Sequence, residues 1–363
     1  MGIAIWLKGM RPQTLPASVA PVAIGAAAAW TSVRQLGVCA LIYPAPESCA
    51  INRATQATLE SRFWPLAILC TLVALFLQIA VNFANDYSDG VRGVDEGRGA
   101  ASPASPASSS SAVPTGTPPV AVVLSGRRDG IAATSIHAPA RLVASGVPPK
   151  RVLAAAGGAA ALACLCGLAI VVITGHWWLL AVGVCCLLAG WCYTGGRHPY
   201  GYAGLGELFV FVFFGLVAVL GTQFVLCGTV TATGVLGAVQ AGLLSCVLLM
   251  VNNLRDVDSD RVHGKRTLAV RLGEQRARIL TVAAYAVVFV PVAVMALVLL
   301  VLSVVGSAGS QYRWAMAAYG VVCLAIAALT IRALLRRDHA RALPLIGLSL
   351  LVCAVGYAGL AAI

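Results

Sequence analysis

The chain has 363 residues, 60% of them apolar and only 10% charged, with a net charge of +12 and a mean hydropathy of +0.89. A water-soluble protein carries roughly 25% charged residues, and no single soluble core of this size hides so much apolar surface, so lipid must be the solvent for most of it. That excludes a soluble globular protein and points to an all-α polytopic membrane protein, since apolar runs of helix length must satisfy their own backbone polar groups.

From the N-terminus on, nine apolar stretches approach the roughly 20 residues a crossing helix needs: 13–30, 64–84, 151–173, 177–194, 204–226, 234–253, 279–303, 314–333 and 343–362. Together they predict about nine transmembrane helices in a single bundle, one domain over residues 1–363. The first stretch follows Lys8 and Arg11 and carries Pro16 and Pro21. Its long apolar run, with no clean cleavage site after it, reads as a permanent span rather than a signal peptide.

Placing the N-terminus in the cytoplasm puts 21 of the 25 Lys and Arg residues on the inside, leaving Arg34, Arg53, Arg62 and Arg313 outside. This split obeys the positive-inside rule and sets the protein in the cell membrane. It also accounts for the net charge without a nucleic-acid partner. Most of the 12 cysteines fall within spans and read as small packing residues. Cys39 and Cys49 lie in the first outer loop, where a bond between them stays an open question. Residues 99–140, including "GAASPASPASSSSAVPTGTPP", are a low-complexity Ser/Pro/Ala insertion that cannot bury a core and is expected to be disordered on the cytoplasmic side.

Two polar clusters interrupt the apolar pattern. The second span ends in "VNFANDYSDGVRGVDEGR" and the sixth in "VNNLRDVDSDRVHGKRTLAVRLG"; both begin V-N-x-x-x-D. On helices, Asn82, Asp86 and Asp89 share one face, and so do Asn252, Asp256 and Asp260. Each cluster follows an even-numbered span, so both open on the cytoplasmic side. Four spans separate them, the spacing of a parallel internal repeat.

Carboxylates at a helix C-terminus oppose the helix dipole and raise one another's pKa. A hard divalent cation with oxygen ligands, shared with substrate phosphates, relieves both penalties. The plainer reading is a set of salt bridges with Arg92, Arg98, Arg255 and Arg261 at a solvated helix end. Arg255, Arg261 and Lys265 are placed to neutralise an anion such as a diphosphate.

These motifs resemble those of the UbiA-type membrane prenyltransferases. "NDYSDGVRGVD" (Asn85 to Asp95) is similar to that family's first Asp-rich motif and "NNLRDVDSDRVHGKRTLAVRLG" (Asn252 to Gly273) to its second. "RPQTLPAS" (Arg11 to Ser18), "ARLVASGVPP" (Ala140 to Pro149) and "YTGGRHPYGYAGLGEL" (Tyr193 to Leu208) resemble the branch that acts on 1,4-dihydroxy-2-naphthoate in menaquinone biosynthesis. Two features depart from that pattern: the Ser/Pro insertion, and Arg197 where a proline or neutral residue is expected.

The resemblance implies an enzyme that moves a polyprenyl group from polyprenyl diphosphate to 1,4-dihydroxy-2-naphthoate, with loss of diphosphate and CO2, giving demethylmenaquinone. It implies Mg2+ held by Asp86, Asp89, Asp256 and Asp260, with Asp95 a further ligand and Asn82, Asn85 and Asn252 assisting. Lys265 and the metal would stabilise charge on the departing diphosphate, and the bilayer would shield the allylic cation from water. Tyr193, Tyr200, Tyr202 and Glu207 are the candidates for holding the aromatic substrate; as an alternative, the tyrosines form an interfacial belt and Glu207 favours a helix start. His137 and His198 read as solvated loop residues. Other acceptors, such as 4-hydroxybenzoate, homogentisate or a porphyrin, share the same diphosphate machinery. A cation-coupled secondary transporter is the competing class, although acidic groups at one membrane face beside basic residues suit an anionic substrate better. Prenyl chain length and oligomeric state are not legible.

Overall fold

The computed structural model describes residues 3–42, 46–93, 141–305 and 310–362. Asp95, the 99–140 insertion, His137, and the side chains of Cys39 and Cys49 lie outside the described residues. Helices dominate the rest, and no strand occurs among the described residues. They are α1 (Ile3–Gly9), α2 (Pro16–Ile42), α3 (Pro46–Val91), α4 (Pro149–Thr174), α5 (Leu179–Thr194), α6 (Gly206–Val210), α7 (Gly221–Cys227), α8 (Ala232–Arg255), α9 (Val257–Val262), α10 (Leu268–Leu272), α11 (Glu274–Val305), α12 (Ser310–Leu335) and α13 (His339–Ala362). A π-helical stretch, Phe211–Leu220, joins α6 to α7 into one rod.

The chain is thus an all-α polytopic membrane protein. Seven helical segments among the described residues are long and apolar enough to cross a membrane. The predicted span at 177–194 is the apolar helix α5, only 16 residues long, and the predicted span at 279–303 falls within the 32-residue α11. The ends differ most at α3. Its 46 residues rise about 69 Å at 1.5 Å per residue, more than twice a hydrocarbon core of about 30 Å. The polar first part of α3, with exposed Arg53 and Arg62, therefore stands outside the apolar layer.

Trp64, Trp177, Trp178 and Trp314 are all exposed. They sit where α3 turns apolar, in the α4–α5 connection and at the start of α12, which is the end of the bundle opposite Asp89 and Asp256. Amphipathic indole rings collect at such an interface.

At the centre, α2 and α8 pack against each other and against the π-helical stretch and α13. Ile24, Val219, Ala241, Leu244, Tyr285, Ile346 and Leu350 form the buried core there. Small residues set the helix spacing, since lipid tails give no hydrophobic drive for helices to associate and close packing must supply it. A Cβ on Gly215 would lie 2.7 Å from the Ala238 carbonyl oxygen and 2.8 Å from Gly242 Cα. This close seam fixes α8 against the rod that carries Glu207, and so aligns two walls of the cavity described next.

Candidate active site

Where α3 and α8 end, the bundle encloses a cavity of about 690 Å3. Its inner walls are apolar, formed by residues such as Val73, Leu77, Ile170, Val182 and Phe213, and its mouth is polar. Leu168 on α4 and Leu180 and Val184 on α5 line the cavity and are also exposed on the outer surface. The cavity therefore opens sideways between these two helices, toward lipid.

The first acidic motif contributes its residues unequally. With about 100° per residue, Asn82, Asn85 and Asp89 fall within an arc of about 60°, and these three line the cavity. Asn82 Nδ2 donates to the Met10 carbonyl (2.8 Å), and Asn85 Oδ1 accepts from the Thr194 hydroxyl (2.7 Å). Asp86 points about 40° to the other side of Asn82. Its carboxylate does not line the cavity but accepts the backbone N–H of Leu142 (2.8 Å) and of Val143 (3.4 Å).

Asp89 is the hub of the mouth and is almost wholly buried. It accepts from the Tyr202 hydroxyl at 2.6 Å and from Arg141 Nη1 at 3.4 Å. Two cations lie over the Tyr202 ring, Arg92 at 5.2 Å and Lys265 Nζ at 5.0 Å from its centroid. Burial and the neighbouring Asp89 carboxylate push the Tyr202 phenol up, so it remains a proton donor. Arg92 itself donates to the carbonyls of Thr194 and Gly196, tying the end of α3 to the loop that carries the tyrosines.

The second motif does not continue as one helix. Helix α8 stops at Arg255, Asp256 takes φ −98° and ψ 6°, and α9 begins at Val257. The expected single face for Asn252, Asp256 and Asp260 is therefore broken at Asp256. Asn252 and Asp256 line the cavity, while Asp260 is buried behind it. Asp256 accepts two hydrogen bonds from the adjacent Arg255, from Nε at 3.0 Å and Nη2 at 3.1 Å. Asp260 pairs with Lys265 Nζ at 3.8 Å. Arg261 is exposed on α9 and does not line the cavity.

The aromatic candidates separate too. Tyr193 lines the cavity and meets Tyr200 edge-on, with centroids 5.5 Å apart. Tyr200 stacks on Phe209 at 4.0 Å and donates to the Ala189 carbonyl, so one face of its ring is already covered. Tyr202 faces the carboxylate rather than the apolar chamber. Glu207 lies behind the wall, its Oε1 accepting from Asn253 Nδ2 at 2.9 Å, its Oε2 buried with no hydrogen-bond partner.

Three site residues lacked a sequence argument. Arg141, Arg11 and Asn253 all line the cavity. Arg11 sits in a left-handed backbone conformation (φ 53°), and its Nη2 is buried without a hydrogen-bond partner. Burial and the nearby Arg141 lower its pKa to about 10, which leaves it cationic at neutral pH. In the sequence, Arg11 and Arg141 look like two more topological anchors. The signal that distinguishes them is local: each introduces a short segment, "RPQT" or "RLVASG", that folds onto the end of α3.

Four cations, Arg11, Arg141, Arg255 and Lys265, therefore line the mouth with two carboxylates, Asp89 and Asp256. Such an excess suits an anion. Among the described residues no three His, Cys, Asp or Glu side chains converge as a metal cage. The oxygen donors on the cavity wall that could hold a divalent cation are Asp89, Asp256 and the Asn82, Asn85 and Asn252 amides, a set with two carboxylates that leaves the rest of a coordination sphere to phosphate and water.

Comparison with known proteins bears directly on this arrangement. The profile described as "UbiA prenyltransferase family" matches residues 129–353. The chain belongs to the UbiA prenyltransferase family. A 1,4-dihydroxy-2-naphthoate octaprenyltransferase of Mycobacterium tuberculosis is 40% identical over 279 residues, covering 76% of this chain and 73% of the relative. The protein of that name from Mycobacterium leprae is 36% identical over 82% of this chain and 78% of its own length. The one from Escherichia coli is 32% identical over 75% and 70%. As a UbiA prenyltransferase, the chain is an enzyme acting within a membrane, and its polar mouth and apolar chamber are the two ends such a reaction needs.

Proposed function

We propose that this protein transfers a polyprenyl group from polyprenyl diphosphate to 1,4-dihydroxy-2-naphthoate, releasing diphosphate and CO2 and giving demethylmenaquinol, the hydroquinone form of demethylmenaquinone. The single observation that carries the reading is the cavity itself, with four cations and two carboxylates at one end and an apolar chamber open to lipid at the other. The names of the similar proteins support the naphthoate over 4-hydroxybenzoate or homogentisate. A cation-coupled transporter fits less well, since the mouth carries an excess of positive charge.

Asp89 and Asp256, with the Asn82, Asn85 and Asn252 amide oxygens, would hold Mg2+ against the diphosphate. When bound, the ion supplies Lewis-acid stabilisation of the charge that develops on the leaving group. Arg11, Arg141 and Lys265 bind the diphosphate oxygens and carry part of that charge. On binding, Arg141, Arg255 and Lys265 turn from Asp89, Asp256 and Asp260 toward the phosphate oxygens, which would leave Asp89 and Asp256 free to hold the ion. Tyr202 holds Asp89 in place throughout. The allylic C–O bond breaks, and the naphthoate carbon bearing the carboxylate attacks the allylic carbon. The naphthoate carbon then loses its carboxyl group as CO2, and the electron pair left behind restores the aromatic ring as the hydroquinone. Tyr193 forms the wall against which the acceptor ring packs, with Asn253 beside it. The apolar chamber excludes water from the cation, and the opening beside Leu168 and Leu180 lets the tail run into the bilayer. On this reading the protein lies in the cell membrane with its mouth facing the cytoplasm, the side to which the positive-inside rule assigns the motif loops.

The test uses membranes bearing the protein, radiolabelled polyprenyl diphosphate and either 1,4-dihydroxy-2-naphthoate or 4-hydroxybenzoate, with Mg2+ or EDTA. Mg2+-dependent lipid product from the naphthoate alone is expected. Product from 4-hydroxybenzoate alone would overturn the acceptor, and no product from either would overturn the reaction.

A further inference from the structure

Asp86 is the first aspartate of an Asp-rich motif, where a carboxylate reads as a metal ligand, yet its geometry gives it other work. It is about 1% exposed and does not line the cavity. Both its oxygens accept backbone N–H groups, from Leu142 at 2.8 Å and Val143 at 3.4 Å. A carboxylate at the C-terminal end of α3 opposes the helix dipole, and backbone donors compensate it there.

The two residues it grips are seated from other sides as well. Leu142 is fully buried among Phe83, Ala84, Val147 and Val152. A Cβ on Gly90, one helical turn beyond Asp86, would lie 2.5 Å from Val143 Cβ. One on Gly9 would lie 2.6 Å from Leu142 Cδ1. The turn closes on itself through Val147 N–H to Leu142 O at 3.0 Å. The residue immediately before this clamped pair is Arg141, whose Nη1 reaches Asp89 at 3.4 Å and which lines the cavity mouth.

We propose that Asp86 is the anchor of the Arg141–Val147 turn and serves the reaction as a positioning residue, acting through Arg141, not as a ligand to the metal. Asp86 and the bare face of Gly90 together hold the turn at the depth where the Arg141 guanidinium can meet a diphosphate. The first acidic motif then divides its labour by face: Asp89 and the two asparagines toward the cavity, Asp86 toward the loop that closes over it. The exchange measurement below is independent of the proposed reaction; the kinetic one rests on it.

Hydrogen–deuterium exchange of the full chain in lipid nanodiscs reads the anchor directly, because amide protection reports local opening. Asp86→Asn should speed exchange at residues 142 and 143 by about tenfold, the loss expected for one charge-assisted hydrogen bond. Asp89→Asn, which removes no backbone partner, should leave those amides within about twofold of the wild type. In the kinetic arm, Asp86→Asn should raise KM for polyprenyl diphosphate about tenfold without moving the Mg2+ concentration for half-maximal rate. Gly90→Ala, which pushes on Val143 without touching a charge, should reproduce that pattern and stands in if Asp86→Asn does not fold. Unchanged exchange at 142–143 in Asp86→Asn would overturn the proposal. So would a tenfold shift in the Mg2+ requirement that Gly90→Ala does not share, since that is the signature of a lost ligand.

Discussion

Replacing Asp89 by asparagine separates the catalytic reading of the mouth from a purely structural one. The side chain is about 2% exposed, accepts from Tyr202 at 2.6 Å and pairs with Arg141 at 3.4 Å. Asparagine keeps its Oδ1 for the tyrosine hydroxyl, so the structural loss is confined mainly to the ionic part of these contacts, about 1–3 kcal/mol. That costs a few degrees of Tm in a protein of this size. If Asp89 binds the metal, a further loss of several kcal/mol falls on the transition state. At 1.36 kcal/mol per factor of ten, the rate should drop by about a thousandfold in protein that remains folded. The assay is initial rate of prenylated naphthoate formation in nanodiscs, across a Mg2+ titration, alongside a thermal melt. A variant that melts earlier but retains its rate within about tenfold, with an unchanged Mg2+ requirement, would show that Asp89 is only a salt-bridge hub.

Three further outcomes are expected. Tyr202→Phe keeps the ring under Arg92 and Lys265 but removes the donor to Asp89, and should slow the reaction by about 10–100-fold. Because the Tyr202 phenol is pushed up by burial and by Asp89, it stays protonated through the neutral and mildly alkaline range, so this ratio should not vary with pH below about 10; a titrating ratio would contradict the assignment. Arg11→Met should raise KM for the diphosphate about tenfold without lowering Tm, because the buried Nη2 has no hydrogen-bond partner to lose; a large drop in Tm with normal KM would make Arg11 structural. Gly215→Ala meets backbone at 2.7 Å on α8, and should destabilise the bundle by about 1–3 kcal/mol through overpacking, visible as a lower Tm at unchanged KM.

The architecture was legible because its signal is additive: each apolar run of about 20 residues votes for a helix independently of the others. Helices run through all the stretches read as spans, and both acidic motifs open on the same end of the bundle. What stayed hidden needed long-range geometry. Asp86 and Asp89 differ by three positions and in the sequence look equivalent. Their surroundings diverge because the turn at 142–143, more than fifty positions on, returns to one face of α3 and not the other. Arg11 and Arg141 read as topological anchors because charge alone does not tell a buried cation from a solvated one; only the short segments that follow them mark the difference. Arg261 erred in the opposite sense, lying among the right neighbours in sequence but exposed beyond a helix break at Asp256. No glycine or proline marks that break, so helical periodicity carried the reading through it. Tyr202 reads in the sequence as offering ring and hydroxyl to an aromatic substrate, whereas its hydroxyl goes to Asp89 and its ring lies under Arg92 and Lys265.

The most direct test of the central claim is the stoichiometry of the reaction in purified protein. With polyprenyl diphosphate, carboxyl-labelled 1,4-dihydroxy-2-naphthoate and Mg2+, the account predicts equal amounts of prenylated ring, inorganic diphosphate and labelled CO2, and none of the three with EDTA. Recovery of both substrates unchanged from folded, metal-supplied protein would contradict it, and so would a prenylated product that keeps its labelled carboxylate.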